Sequence, residues 1–197
     1  MVIGLTGSFG TGKRSVAAHF RKLGAKVLDA DSIARETLES GTPEYRRVVR
    51  VFDPGILNSS RSINRKKLAR MVFGDRKLVA RLNGIVHPAV IRRIRSEIRK
   101  VKRGVLVVDA PLIFEAGISA LFDHIVVVKA SRHKQISRCI KKSGMDKEEV
   151  CDRIACQTPL RQKLKMADYI IDNDGTRVAT KKQVVEIWQR LKRKGTT

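Results

Sequence analysis

The sequence predicts an α/β fold, in which a parallel sheet is interleaved with helices. Five short apolar segments have the length of strands, and they alternate with segments in which apolar residues recur at helical spacing. A glycine-rich segment, GSFGTGK at residues 7–13, directly follows the first predicted strand and precedes the first predicted helix. A phosphate-binding loop occurs in this strand-loop-helix context.

The predicted strands are bounded by glycine or by polar residues. The run at 104–108 is continuously apolar up to Asp109, as expected for a strand buried on both faces of a parallel sheet. The five predicted strands lie at residues 2–6, 25–28, 104–108, 123–128 and 167–173.

Helix boundaries are predicted from capping residues, prolines and glycines. Four helices are predicted with both ends, at residues 13–23, 32–38, 131 to about 141, and 183–194. Five more are predicted by their starts alone, at Thr42-Pro43, Asn64, Asp75, His87-Pro88 and Asp146. Residues 41–103 contain no strand signal, so this region is predicted to be a helical insertion between two strands.

Residues 7–14 match the pattern G-x-x-x-x-G-K-[ST] at every defined position except the last, which is Arg14. The glycines permit backbone torsions that side chains disfavour, so successive N–H groups can point at one anion. Lys13 is predicted to reach the outer phosphates of a nucleotide. The alternative is a glycine-rich turn beside an unrelated lysine, against which the flanking strand and helix argue.

Two predicted strands end in carboxylates. Asp29-Ala30-Asp31 follows the second strand, and Asp109 follows the third. Because open α/β sheets bind ligands at the carboxyl ends of their strands, Asp29 and Asp31 are expected near the phosphate-binding loop. Side chains alternate along a strand, so only one of the two is expected to face inward. Asp109 is a candidate to support a metal ion. For Asp31 the alternative is a structural role as N-cap of the helix at 32–38.

Cationic residues are concentrated on two predicted helices that meet near residues 143–145. They are Lys134, Arg138, Lys141, Lys142, Lys147 and Arg153. A hinged helical pair of this kind can close over a triphosphate and stabilise the charge of a transferring phosphoryl group. The alternative is an exposed basic hairpin without a catalytic role.

Composition limits the classes of protein that fit. A chain of 197 residues with 42% hydrophobic content predicts one compact domain. Its 42 Lys and Arg against 19 Asp and Glu give a formal charge of +23, which predicts anionic partners without separating nucleotides from nucleic acids. Three cysteines without C-x-x-C spacing, and no signal-like N-terminus, predict a reducing, cytoplasmic location. No apolar run approaches the roughly 18 residues of a membrane span.

Several motifs occur together along the chain. The N-terminal ones are GLTG at 4–7 leading into GTGK, DAD at 29–31, His87-Pro88 and DAPLIFE at 109–115. The C-terminal ones are Arg138, RIACQ at 153–157, Lys163, Ala167-Asp168 and IDNDG at 171–175. In this order and spacing they resemble the dephospho-coenzyme A kinases along nearly the whole chain. A generic nucleotide kinase is not expected to share the C-terminal set.

The resemblance implies a three-layer P-loop kinase fold with a five-stranded parallel sheet in the strand order 2-3-1-4-5. It divides the single domain into a core at 1–40, 104–133 and 166–197, a helical coenzyme A region at 41–103 and a lid at 134–165. It also implies the reaction: ATP with Mg²⁺ phosphorylates the ribose 3′-hydroxyl of dephospho-coenzyme A, which completes coenzyme A biosynthesis.

The resemblance implies roles for individual residues. Asp31 would accept or orient the hydroxyl proton, Lys13 would hold the β- and γ-phosphates, and Arg138 would act from the lid. The implied ATP-binding residues are Ser8, Phe9, Gly10, Thr11, Gly12, Lys13, Arg14, Ser15, Arg138, Arg153 and Gln157. The implied substrate-binding residues are Asp31, His87, Leu112 and Phe114, and the metal candidate is Asp109.

Some positions depart from the family pattern. They are Ser8 and Phe9 in place of the usual Gly-Ile, Arg14 in place of Ser or Thr, and Lys142 in place of a second lid arginine. The guanidinium of Arg14 has no lone pair to give to a metal. Mg²⁺ is therefore predicted to be held mainly by ATP phosphates and water, with Asp109 or Asp31 contributing.

Two other classes of protein stay open. An inactive kinase-like nucleotide-binding protein would explain Arg14, although Lys13, Asp31 and Arg138 are all present. A basic nucleic-acid-binding module would explain the charge, but aromatic residues, which stack on bases, make up only 5% of the chain. The expected partners are thus ATP and dephospho-coenzyme A, with no stable nucleic-acid complex and an open oligomeric state.

Overall fold

The computed structural model describes residues 1–72 and 75–194. Within these ranges, five strands form one sheet in which every neighbouring pair is parallel, and their order is β2-β3-β1-β4-β5. The strands are β1 Val2–Thr6, β2 Lys26–Asp29, β3 Leu106–Asp109, β4 His124–Lys129 and β5 Tyr169–Asp172. The predicted fold class and strand order are confirmed, and the predicted strand ends are correct to within a few residues.

Nine α-helices lie within the described ranges. They are α1 Lys13–Lys22, α2 Ala30–Glu36, α3 Pro43–Phe52, α4 Arg65–Val72, α5 Arg76–Arg99, α6 Arg132–Ser143, α7 Lys147–Ala155, α8 Leu160–Lys165 and α9 Arg177–Lys194. Of these, α8 is absent from the sequence-based prediction, and α9 begins six residues before the predicted start. No helix within the described ranges is long and apolar enough to cross a lipid bilayer.

The chain forms two compact units. The first comprises Met1–Asp29 and Glu97–Thr197, and the second comprises Ala30–Ser96. The sheet belongs to the first unit, and the second unit contains helices with one isolated antiparallel bridge between Leu57 and Ile63. The predicted assignment of separate tasks to a core, a coenzyme A region and a lid stays a prediction.

The core of the first unit lies against the central strands. All five residues of β1 and all four of β3 are buried. Helices α1 and α9 contribute Val16, Phe20 and Leu191 to the same cluster, each with no exposed surface. The ring of Phe20 lies 6.3 Å from that of Trp188 at an interplanar angle of 55°. This packing anchors α1, and with it the loop from which α1 starts.

Most predicted caps are confirmed. The side chains of Thr42, Asn64, Asp75 and Asp146 each accept a backbone N–H from the first turn of the following helix. Ser131 does occupy the N-cap position of α6, but its side chain makes no capping hydrogen bond, so the predicted side-chain cap is wrong. The Ser131 backbone N–H instead donates to the carboxylate of Asp174, 2.8 Å away, so the N-terminus of α6 is tied to the segment after β5.

The prediction of a helix starting at His87-Pro88 is wrong. Helix α5 runs without interruption from Arg76 to Arg99 and contains Pro88. A proline inside a helix costs about 3 kcal/mol. The preceding turns bury Ile85 and pack Leu78 and Leu82 on the same apolar cluster. A fully buried side chain of this size contributes roughly 1.5–3 kcal/mol. The burial of Ile85, together with the partial burial of Leu78 and Leu82, is therefore large enough to offset the cost of the proline.

We expect Phe20→Ala to destabilise the chain by about 3–5 kcal/mol, because the substitution leaves a cavity under α1. Denaturant unfolding followed by Trp188 fluorescence measures this loss, and Arg21→Ala, at an exposed position of the same helix, is the matched control. A loss for Phe20→Ala no larger than that for Arg21→Ala would contradict this account of the core.

Candidate active site at the phosphate-binding loop

The phosphate-binding loop, residues 7–13, connects β1 to α1 in a conformation that requires glycine. Gly7 and Gly12 have φ angles of 149° and 88°, in the left-handed region. A Cβ atom at Gly7 would lie 2.3 Å from the carbonyl oxygen of Val128, and one at Gly12 would lie 2.3 Å from Nδ2 of Asn173. The loop is therefore shaped both by its own torsions and by the strands beside it.

The side chain of Lys13 lies against this loop. Its ammonium donates hydrogen bonds to the carbonyl oxygens of Gly7 at 2.9 Å and Ser8 at 3.3 Å. The positive charge is thus held beside the N-terminus of α1, whose partial positive charge also attracts anions. The combination suits the phosphates of a nucleotide.

The carbonyl of Thr11 is held by two side chains from distant parts of the chain. Asn173 donates to it from Nδ2 at 2.8 Å, and Arg138 donates from Nη1 at 3.4 Å. Arg138 also donates to the carbonyl of Asn173 at 2.7 Å, and Thr180 donates its hydroxyl to Oδ1 of Asn173 at 2.8 Å. The predicted residue Arg138 is therefore brought to the loop.

Asn173 and Thr180 were missed as site residues by the sequence reasoning. Both are buried, with 8% and 1% of their surfaces exposed. Asn173 directly follows β5, and the carboxyl end of a parallel strand is the signal that could have identified it. Thr180 lies one helical turn inside α9, and no sequence signal distinguishes it.

The predicted residues Arg153 and Gln157 contact the phosphate-binding loop through Phe9. The backbone N–H of Phe9 donates to Oε1 of Gln157 at 2.8 Å. The guanidinium carbon of Arg153 lies 5.4 Å from the centre of the Phe9 ring, within the range of a cation-π contact. Glu149 accepts a hydrogen bond from Arg153 at 2.9 Å and so orients it. Phe9, which departs from the family pattern, therefore contacts one residue of α7 and one residue just after that helix.

The other predicted loop residues divide into two groups. Ser8 and Thr11 are buried, and Thr11 donates its hydroxyl to the Ser8 carbonyl at 2.9 Å. Arg14 and Ser15 are exposed in the first turn of α1. The exposure of Arg14 agrees with a side chain that extends away from the loop, and the predicted consequence for Mg²⁺ stays a prediction.

Two carboxylates end neighbouring strands. Asp109 is the last residue of β3, is 7% exposed, and is the register partner of Asp29 at the end of β2. Asp29 was expected, together with Asp31, to lie near the phosphate-binding loop, but only Asp31 was assigned a role in the reaction. Among the residues that the structure describes, no group of three or more His, Cys, Asp or Glu side chains could by itself hold a metal. A cation at Asp29 and Asp109 would therefore need oxygen ligands from phosphates and water.

The predicted acceptor residues are distributed over both units. Asp31 lies in the first turn of α2 and His87 in the middle of α5, both in the second unit. The alternative interpretation of Asp31 as an N-cap is wrong, because α2 begins at Ala30 and places Asp31 within the helix. Leu112 and Phe114 are half-buried between β3 and β4 in the first unit. Their shared role at one acceptor stays a prediction.

Two carboxylates, one on the last residue of β5 and one just after it, are stabilised in their ionised form. The Lys129 ammonium, 2.9 Å from Asp172, lowers the pKa of that carboxyl, and the carboxylate raises the pKa of Lys129. The Ser131 backbone N–H lowers the pKa of Asp174. These charges hold the segment that carries Asn173 in place.

Comparison with known proteins identifies the family. A dephospho-CoA kinase family model matches residues 1–179. The dephospho-CoA kinase of Carboxydothermus hydrogenoformans is 39% identical over 194 residues, which cover 97% of this chain and 94% of that protein. The chain belongs to the dephospho-CoA kinase family. The resemblance inferred from the sequence motifs is confirmed.

Two solved structures share the fold of this chain. A protein from Thermus thermophilus superposes with a TM-score of 0.82 at 30% identity, with 96% of each chain covered. The dephospho-CoA kinase from Campylobacter jejuni superposes with a TM-score of 0.62 at 23% identity, again with 96% of each chain covered, and at that identity it shows the shared fold.

We expect Gly12→Ala to weaken ATP binding by at least about tenfold, because the added methyl collides with Asn173 and displaces the loop from its phosphate-binding shape. Titration with a non-hydrolysable ATP analogue measures the change. Gly24→Ala is the matched control, since Gly24 also has a positive φ, 96°, but an added Cβ there has no neighbour within 4 Å. Equal affinities of the two variants would contradict a steric role for the contact with Asn173.

Proposed function

We propose that this chain transfers the γ-phosphoryl group of ATP to the ribose 3′-hydroxyl of dephospho-coenzyme A, forming coenzyme A and ADP. The observation that carries this proposal is the braced phosphate-binding loop of a family member, with Lys13 against it and Arg138 bonded to its Thr11 carbonyl. Phosphoryl transfer depends mainly on positioning and on stabilising charge, and this loop supplies both.

In the proposed reaction, the loop N–H groups and Lys13 bind the β- and γ-phosphates. The acceptor oxygen attacks the γ-phosphorus, the bond to the bridging oxygen of ADP breaks, and ADP leaves with the electron pair of that bond. Asp31 orients the 3′-hydroxyl and takes its proton. Arg138 exchanges its bonds to backbone carbonyls for bonds to phosphate oxygens, which carry more charge in the transition state.

The acceptor is proposed to bind through His87, Leu112 and Phe114, in addition to Asp31. Half-buried Leu112 and Phe114 offer apolar surface for the adenine ring. We assign residues 41–103 to coenzyme A binding and residues 134–165 to a lid. This assignment fits the contacts of Arg153 and Gln157 with the phosphate-binding loop.

Mg²⁺ is proposed to enter with ATP. Asp109, together with its register partner Asp29, offers carboxylate oxygens at the strand ends, and oxygen ligands suit this cation. When bound, Mg²⁺ would neutralise phosphate charge during transfer. The three free cysteines fit a reducing compartment, so we place the activity in the cytoplasm.

A coupled assay of ADP formation tests the proposal. ADP should form from ATP only when dephospho-coenzyme A is present, and mass spectrometry should detect coenzyme A. Adenosine and shikimate serve as control acceptors. ADP formation that is independent of dephospho-coenzyme A, or transfer to a control acceptor instead, would refute the assignment.

Asp31→Asn should lower turnover by roughly 10²-fold or more, because the amide keeps the shape of the carboxylate but cannot take the proton. Affinity for the ATP analogue should stay unchanged. Glu36→Gln, which neutralises another carboxylate on α2, is the control. Near-normal turnover in Asp31→Asn would remove Asp31 from the catalytic residues.

Arg14→Ser should tighten the apparent binding of Mg²⁺ and retain or increase turnover, because it restores a hydroxyl at the position where the phosphate-binding pattern has one. ADP formation measured over a Mg²⁺ titration checks this expectation. Arg14→Ala separates the gain of a ligand from the loss of a positive charge. An unchanged Mg²⁺ requirement in Arg14→Ser would show that the position does not influence the metal.

A further inference from the structure

An ion pair with a fully buried lysine lies beside the candidate site and has no role in the reaction proposed above. Lys163 of α8 has no exposed surface, and its ammonium lies 2.8 Å from Oε1 of Glu115. The same ammonium donates to the carbonyl of Pro111 at 2.9 Å. The backbone N–H of Thr158 also donates to Oε1 of Glu115, at 2.8 Å. One ion pair thus connects residues 158–163 to the segment after β3.

The positive charge of Lys163 offsets the cost of removing the Glu115 carboxylate from water. Oε2 of Glu115 is buried and has no hydrogen-bond partner among the described residues. A buried carboxylate that loses its counter-ion is strongly unfavourable, so removing either partner should release the segment rather than leave it in place.

We propose that Lys163 and Glu115 are positioning residues that fix the turn segment, residues 110–117, for binding of the acceptor. Their bonds at Pro111 and Glu115 flank Leu112 and Phe114 on both sides. The pair thereby sets the position of the two side chains that are proposed to contact dephospho-coenzyme A. This inference rests on the proposed function, because it takes that molecule as the acceptor.

The phosphate-binding loop has separate support. Its Thr11 carbonyl is held by Asn173 and Arg138, and neither residue contacts the ion pair through any bond described above. Two connections reach the loop from this region. Thr6, which precedes Gly7, donates its hydroxyl to the Pro111 carbonyl at 3.2 Å, and Gln157, which precedes Thr158, accepts the N–H of Phe9. Neither of them involves the bonds that hold the Thr11 carbonyl. Loss of the ion pair should therefore weaken acceptor binding much more than ATP binding.

Steady-state kinetics of Glu115→Gln and Lys163→Met test the proposal. The KM for dephospho-coenzyme A should rise by about tenfold or more, whereas the KM for ATP should change by less than about twofold. Lys165→Met removes the same charge from an exposed position of α8 and should leave both constants unchanged. Equal increases in the two KM values, or no increase, would overturn the proposal.

Hydrogen exchange supplies a readout that does not depend on activity. The amides of Ala116, Gly117 and Ile118 donate to carbonyl oxygens of the turn segment. They should exchange faster in Glu115→Gln than in the wild type or Lys165→Met, with the Thr11 amide unchanged. Unaltered exchange in the turn segment would overturn the proposal even if Lys163→Met failed to fold. Absence of dephospho-coenzyme A-dependent ADP formation in the wild type, with faster exchange in Glu115→Gln, would instead refute the proposed function.

Discussion

The hydrogen bond between the Asn173 carboxamide and the Thr11 carbonyl is the contact around which the site is assembled. It spans 162 residues of sequence and joins the end of β5 to the loop after β1. A carbonyl fixed from outside the loop cannot rotate inward, which keeps the neighbouring N–H groups available for an anion. This contact requires glycine at position 12, because the Cβ atom of any other residue there would displace the Asn173 side chain.

Much of this architecture is encoded in local sequence patterns. The strand-loop-helix context of the GSFGTGK segment and the apolar run before Asp109 predict a parallel sheet, because both patterns arise from backbone torsions and from burial. Capping at Asn64 and Asp75 was also predictable, since a cap involves residues only two or three positions apart. Local patterns therefore predict most of the helices and strands, whereas the order of the strands in the sheet was implied by the family resemblance.

Features that depend on tertiary contacts were not predictable. Pro88 is a strong local signal for a helix start, but the packing of Ile85 and its neighbours continues α5 through it. Nothing in the sequence around Asn173 indicates that its side chain bonds the Thr11 carbonyl. The Lys163–Glu115 ion pair likewise joins residues that are far apart in the sequence. Phe9 departs from the family pattern, and its contact with Arg153 becomes visible only in the structure. Each case depends on a neighbour that is distant in sequence.

The bracing of the phosphate-binding loop also has a consequence for the order of folding during synthesis. The loop lies near the start of the chain, but Arg138, Asn173 and Thr180, which hold it, are made much later. Chains are synthesised from the N-terminus, so β1 and the loop leave the ribosome long before their support exists. The braced form of the loop is therefore completed only after β5 and α9 have been synthesised and have packed against the first residues of the chain.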